Sequence, residues 1–182
     1  MRSWIFALTM GANILSFSDA QNPFQKERSS AIFFYSNDDN RGFENAKPPS
    51  DVVLDALLET PQVKESLDDI EDQSRESLRS YFKVALANAG GPQDEIYVVT
   101  STKLPLGSGD SDWFWIVQTD KQKARVILFI IGHTLTFKKH RTNGYRDLLE
   151  TTGTPGQPEE NLFRYDGKAY RLSRERLQTV KP

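Results

Sequence analysis

Arg125 is followed by six uninterrupted apolar residues, Val126-Ile127-Leu128-Phe129-Ile130-Ile131, and then by Gly132-His133. A run this apolar has no side to offer to water, so it predicts a central β-strand covered on both faces. The residues after the glycine change pattern. Leu135 and Phe137 alternate with Thr134, Thr136 and Lys138, which predicts a turn at Gly132 and a neighbouring strand with one wet face.

Other segments extend this β framework. Trp113 to Gln118 reads as a second strand apolar on both faces, and Glu95 to Thr100 as a strongly β-prone one. Tyr81 to Asn88 fits either the end of a helix or a strand, Tyr81 to Leu86, with Asn88 to Asp94 as its loop. Asn143-Gly144 predicts a turn before a short strand from Tyr145 to Thr152. Gly153 to Asn161 reads as a polar Gly/Pro loop. Asp166-Gly167 signals a two-residue hairpin, because both positions of such a turn need positive φ. In that register Phe163, Tyr165, Tyr170 and Leu172 share one face. Ser173 to Pro182 reads as a basic tail with at most one helical turn.

Helical spacing is confined to the first half. Ser50 and Asp51 form an N-terminal helix signal, and Val53, Leu54, Leu57 and Leu58 give one apolar face, so a short helix is expected over Asp51 to Glu59. Thr60-Pro61 begins a second helix with proline at its first position. Val63, Leu67, Ile70 and Leu78 form its stripe, and Asp68, Asp69, Glu71 and Asp72 its wet face. Ala31 to Tyr35 suggests an edge strand, and Ser36 to Pro49 a loop. The sum predicts an α+β domain over 50–182, with one or two N-terminal helices packed on a mainly antiparallel sheet of about six or seven strands.

The first 20 residues have the layout of a secretory signal peptide. A basic Met1-Arg2-Ser3 precedes a mainly apolar Trp4 to Phe17 and a small-x-small exit at Ser18-Asp19-Ala20. Export to a periplasm or extracellular space is therefore expected, with 21–49 as tether and edge strand and no membrane span once the signal is removed. The chain has no cysteine, which excludes disulfides, thiolate metal sites and thiol catalysis. The formal net charge is −2, so nucleic acid is not an expected partner. Charge is unevenly spread. Tyr35 to Glu76 carries 12 acidic and 4 basic residues, and Lys121 to Pro182 carries 13 basic and 6 acidic. The two fields either offset each other within the fold or leave a basic surface for an anionic partner.

Reaction chemistry is sparsely signalled. His133 and His140 are the two histidines. At either end of one strand they would stand about 20 Å apart, too far to share a metal. Ser108 lies in Leu106-Gly107-Ser108-Gly109, which is not a nucleophile elbow, and no phosphate-binding loop or dinucleotide fingerprint occurs. The loop Gly107 to Asp112 has only part of a calcium-loop alternation. Trp113 and Trp115 lie on one side of a strand and read as core rather than sugar platform. No catalytic, cofactor or metal residue is assigned, and no cofactor is expected. The candidates for ligand binding are Asp110, Asp112 and Asp147.

The order of several motifs resembles that of secreted bacterial domains of unknown function. It runs from the loop region Leu86 to Val99 through the Trp113 to Val117 and Val126 to Ile131 strands. It continues with Asn143-Gly144-Tyr145-Arg146-Asp147-Leu148 and Arg164-Tyr165-Asp166-Gly167-Lys168-Ala169-Tyr170. The first loop is similar to those of integrin-type FG-GAP repeats, which bind calcium through spaced aspartates. Here Ala87 to Pro92 occupy those positions and only Asp94 and Glu95 remain, so the resemblance implies a structural class with its calcium site lost. It also favours a strand at Tyr81 to Leu86 and turn-forming roles for Asp147 and Asp166.

The resulting expectation is an exported, non-enzymatic protein that binds another protein of the cell envelope, such as an inhibitor or immunity-type protein. The alternatives are a carboxylate-based hydrolase or carbohydrate-binding protein using Asp110, Asp112 and Asp147, and a structural envelope component.

Overall fold

Nine strands in two antiparallel sheets take up most of the described residues. This all-β layout, with only short helices, replaces the expected α+β domain of six or seven strands. The structure, a computed structural model, describes residues 31–36, 39–91, 94–107, 111–120, 122–154 and 157–177, without the side chains of 31–34. The signal-peptide reading at 1–20 and the candidate Asp110 lie outside the described residues.

The four-stranded sheet has the order β2 (Phe82–Ala87), β3 (Glu95–Ser101), β4 (Asp112–Thr119), β5 (Ala124–Gly132). The five-stranded sheet has the order β1 (Ala31–Tyr35), β6 (Thr134–Thr142), β7 (Tyr145–Thr154), β8 (Gln157–Tyr165), β9 (Tyr170–Leu177). Helices α1 (Asp51–Leu58), α2 (Pro61–Ser66) and α3 (Arg75–Arg79), with one 3-10 turn at Leu67–Asp69, complete the described elements.

Two apolar layers hold these parts together. Between the sheets, Ile96, Val98, Phe114, Ile116, Ile127 and Ile130 pack with Leu135, Phe137, Leu148, Tyr165 and Tyr170. On the other side of the four-stranded sheet, Val53, Leu54 and Leu57 of α1, with Val63, Ile70 and Leu78, cover Phe82, Val99, Trp115 and Val117. The four-stranded sheet is thus the middle layer, which is why its strands read as apolar on both faces.

The strand that best fits the expectation of a central position is β4, where Phe114 to Thr119 are all buried. The Val126 to Ile131 run forms β5, a strand as expected, but at the edge of its sheet. Ile127 and Ile130 pack between the sheets, while Val126 and Phe129 lean on the helical layer. Hydrophobic patterning reports how the faces of a strand are covered and is silent on its edges. In β6, Leu135 and Phe137 are fully buried, and Thr136, against the expected wet face, is largely buried too.

The second helix is broken. After α2 comes one 3-10 turn at Leu67–Asp69, then Ile70 in an extended conformation. Asp68, Asp69, Glu71 and Asp72 would repel one another at three- and four-residue spacing in a continuous helix. Helix resumes at α3, where the Ser74 side chain accepts from the Ser77 N–H, an N-cap that the broken helix requires.

Three connections also differ from expectation. Tyr165 pairs with Tyr170, so the β8–β9 turn spans Asp166 to Ala169, with Asp166 Oδ1 accepting from the N–H groups of Lys168 and Ala169. Gly153 to Asn161 is mostly strand, Gly153 pairing with Pro158. Pro158 lies just before the ladder to β9 begins at Glu159, where a missing N–H is tolerated. Arg174 to Leu177, expected as tail, continue β9 against β8. Of the two readings of Tyr81 to Asn88 the strand holds, as Phe82–Ala87 paired to β3, with Tyr81 in the turn before it. Among the described residues no helix is long and apolar enough to cross a membrane.

Candidate functional site

The two described sequence candidates, Asp112 and Asp147, lie in different sheets. Asp112 begins β4, level with Gly132 at the end of β5. Asp147 belongs to β7 in the other sheet. The turn-forming role expected for Asp147 passes to Asn143 and Gly144, which take φ of 50° and 83°. Asp147 instead lies in the strand with its side chain only 2% exposed.

Three side chains close over the Asp147 carboxylate. The His140 ring Nδ1 is 2.8 Å from Oδ2, the Thr142 hydroxyl donates to Oδ1 at 2.7 Å, and the Arg164 Nε donates to Oδ2 at 3.3 Å. His140 is itself 68% exposed. The arrangement orients one imidazole edge and leaves the other towards solvent, which is the geometry of a held general base. It sits on the sheet face turned away from the inter-sheet core, since Arg164 alternates with the core-facing Phe163 and Tyr165.

A second buried carboxylate lies three residues along β7. Glu150 is 2% exposed and level with Asn161, whose Nδ2 donates to Oε2 at 2.8 Å. Its Oε1 is buried without a partner, as is Asn161 Oδ1. A Cβ at Gly132 would collide with that Oε1, so any larger residue at the corner where the chain passes between sheets requires the Glu150 side chain to shift. Burial, more than the neighbouring Glu159, pushes the Glu150 carboxyl up to about 7, against the opposing effects of Asn161 and His133. Groups of three or more acids and histidines able to hold a metal are not found among the described residues.

A concavity lies elsewhere, between α1 and β5. It has a volume of about 660 Å³. Val52 and Ala56 of α1 face Val126 and Phe129 of β5 across it, all partly exposed. Ala124, Arg125 and Val126 line it consecutively. Successive strand side chains point to opposite faces, so three in a row meet the groove along the strand's edge. That edge is open, since among the described residues β5 pairs with β4 alone.

The rim carries two acids, Asp55 and Glu59, and two bases, Lys123 and Arg125. Asp55 takes a bond from Arg75 at 2.7 Å, and Glu59 from Lys64 at 2.6 Å. The Lys123 ammonium, which also lines the groove, has no partner among the described residues. Arg125 beside it donates to Gln118 Oε1 at 2.8 Å and to the Tyr165 hydroxyl at 3.0 Å, both neutral. Lys123 and Arg125 also line an adjoining cavity of about 360 Å³ with Asp94 and Asp120. Both carboxylates accept from neutral donors and keep their charge beside the two cations: Asp94 accepts from the Tyr145 hydroxyl, and Asp120 from the backbone N–H groups of Gln122 and Lys123. Tyr145 also accepts from Gln118 at 2.6 Å and stacks on Tyr165, which ties the floor of this corner to the second sheet.

Sequence reasoning missed the His140 partnership, although the signal was present. A two-residue turn at Asn143-Gly144 pairs Thr142 with Tyr145 and Arg141 with Arg146; the next step sets His140 beside Asp147. The groove had no such signal, because an open strand edge leaves no trace in side-chain pattern. No protein-family model, curated protein or solved structure matches the chain.

Proposed function

We propose that this chain is an exported, non-catalytic module that binds another protein of the cell envelope, in the manner of an inhibitor or immunity-type protein. The observation that carries the reading is the groove between α1 and β5. It combines an apolar floor with a strand edge that no described strand covers. That combination suits a polypeptide better than a small polar substrate, because a backbone edge offers hydrogen bonds that only another backbone can match in series.

Two measurements test it. Binding proteins or peptides selected against the full chain lose affinity when Val126→Glu places a charge on the groove floor, while a Val126→Leu control retains it. Selected binders indifferent to both variants remove the groove from the reading. Export is tested by N-terminal sequencing of the protein recovered outside the cytoplasm, which is expected to begin at Gln21; an intact Met1 terminus inside the cell counts against it.

A second reading, a carboxylate-based hydrolase, is favoured by the His140–Asp147 pair alone. It requires turnover of an ester or glycoside that His140→Ala abolishes without loss of fold. Equal turnover by both proteins would sink it.

A further inference from the structure

We infer that a cavity at the β2 edge of the four-stranded sheet binds a short apolar peptide, two or three residues long, whose termini are both free. The site goes beyond the protein-binding reading and lies apart from its groove, since β2 and β5 are opposite edges of that sheet.

The cavity has a volume of about 580 Å³, the size that takes a small organic ligand. Val84 and Leu86 of β2, Tyr97 of β3 and Val53 of α1 make its apolar side. Leu86 is 61% exposed, so burial of that side is incomplete. The loop 42–50 makes the polar side. It brings Glu44, Asn45, Lys47 and Ser50 to the cavity, and none of these side chains has a hydrogen-bond or ion-pair partner among the described residues.

The two ends of the cavity carry opposite charge. Lys47 pairs through its backbone with Val84 in both directions, which sets it at the Val84 end. Ser50, three residues on, opens α1 without a side-chain cap bond, and the first N–H groups of the helix add positive potential. Asp51 is turned to Arg75 and Arg79. Glu44 belongs to the other end. Burial and the Glu44 charge together push the Tyr35 hydroxyl up, and that hydroxyl donates to the Leu86 carbonyl at 3.4 Å. Glu95 lies beyond the Leu86–Tyr97 pair and accepts from the Tyr97 hydroxyl at 2.7 Å, a neutral donor, so its charge adds to the acidic end.

A ligand with one charge would satisfy one end and leave the other bare. A zwitterion satisfies both, its ammonium against Glu44 and its carboxylate against Lys47. Val84 and Leu86, two residues apart on a strand, are separated by about 7 Å, and an extended dipeptide reaches about as far. Its side chains then cover Val84, Leu86 and Tyr97, which makes them apolar.

Isothermal titration of the full chain with leucyl-leucine tests the site. Acetylating the peptide's amino terminus, or amidating its carboxyl terminus, is expected to weaken binding about fivefold, the upper range for an exposed charge pair. Glu44→Gln weakens the free dipeptide by a similar factor and leaves the acetylated one unchanged. Lys47→Gln weakens the free dipeptide and leaves the amidated one unchanged. Leu86→Ser weakens all three forms. Each of these side chains is exposed, so the fold survives the substitutions. Absence of binding at about 10 mM peptide, blocked peptides that bind as well as the free one, or variants that act equally on free and blocked forms overturn the inference. Val126→Glu, in the groove at β5, leaves dipeptide binding unchanged. Loss of binding in that variant would place the peptide in the groove and overturn the inference while leaving the protein-binding reading intact.

Discussion

Asp147 and Glu150 lie three residues apart on one strand, equally hidden from water, and are treated differently by their surroundings. Asp147 faces away from the core, yet three side chains donate to or contact its oxygens, two of them on exposed cationic or titratable residues. Glu150 faces the space between the sheets and has one amide donor and one orphan oxygen. Depth of burial alone does not set the cost of a buried carboxylate. The number of donors that the neighbouring strands can supply does. The solvent face offers long side chains from β6 and β8 that fold over Asp147. The inner face offers apolar side chains and a glycine.

The sharpest way to test that contrast is to remove the charge from Glu150. A folded chain that holds the Glu150 proton up to about pH 7, against 4.5 for an ordinary glutamate, gains stability from it at low pH. The contribution is complete below about 4.5 and fades as pH rises through 7. Glu150→Gln, which mimics the neutral acid, is expected to raise stability at pH 8 by on the order of 2–3 kcal/mol and to flatten the loss between pH 5 and 8. Urea unfolding of both proteins across that range measures it. Parallel pH profiles would show that Glu150 is solvated after all.

Asp147→Ala should act in the opposite sense. It removes an acceptor that organises His140, Thr142 and Arg164, and a loss of about 2 kcal/mol is expected, read from urea midpoints at neutral pH. A gain instead would mean that the three donors do not offset the burial. Gly132→Ala presses a methyl group into Glu150 and tests whether the inner site has room to yield. An overpacked corner costs about 1–2 kcal/mol, and most of that cost should vanish when the substitution is combined with Glu150→Ala in a double-mutant cycle. The smallest effect belongs to His140→Ala. Its ring is largely exposed, so its pairing with Asp147 is worth under about 1 kcal/mol. A larger loss in thermal unfolding would make His140 a structural lid rather than a surface partner.

The outer of these two sites could have been found in the sequence, and the inner could not. Asn143-Gly144 announces a two-residue turn, and counting outward from it pairs His140 with Asp147. Glu150 depends on Asn161 from a segment that reads as a Gly/Pro loop, and on Gly132, which looks like a turn residue rather than the space for a carboxylate. Its environment is made by three strands whose registers no local pattern links. The interrupted helix is an intermediate case. Its apolar stripe is legible, whereas the repulsion among Asp68, Asp69, Glu71 and Asp72 that stops it is visible only when weighed against the stripe.

Side-chain alternation and turn chemistry determined, without further help, that Val126 to Ile131, Trp113 to Gln118 and Thr134 to Phe137 are strands, and that a tight turn falls at Asn143-Gly144. These are properties of neighbours in sequence, and the pleat and the turn express them directly. Tertiary structure alone decided that β5 lies at an edge, that two sheets form where one was expected, and that β8 and β9 extend through polar, proline-containing and basic segments. Such outcomes depend on which strands find each other across the fold, and backbone pairing is nearly indifferent to the side chains that would have to record it.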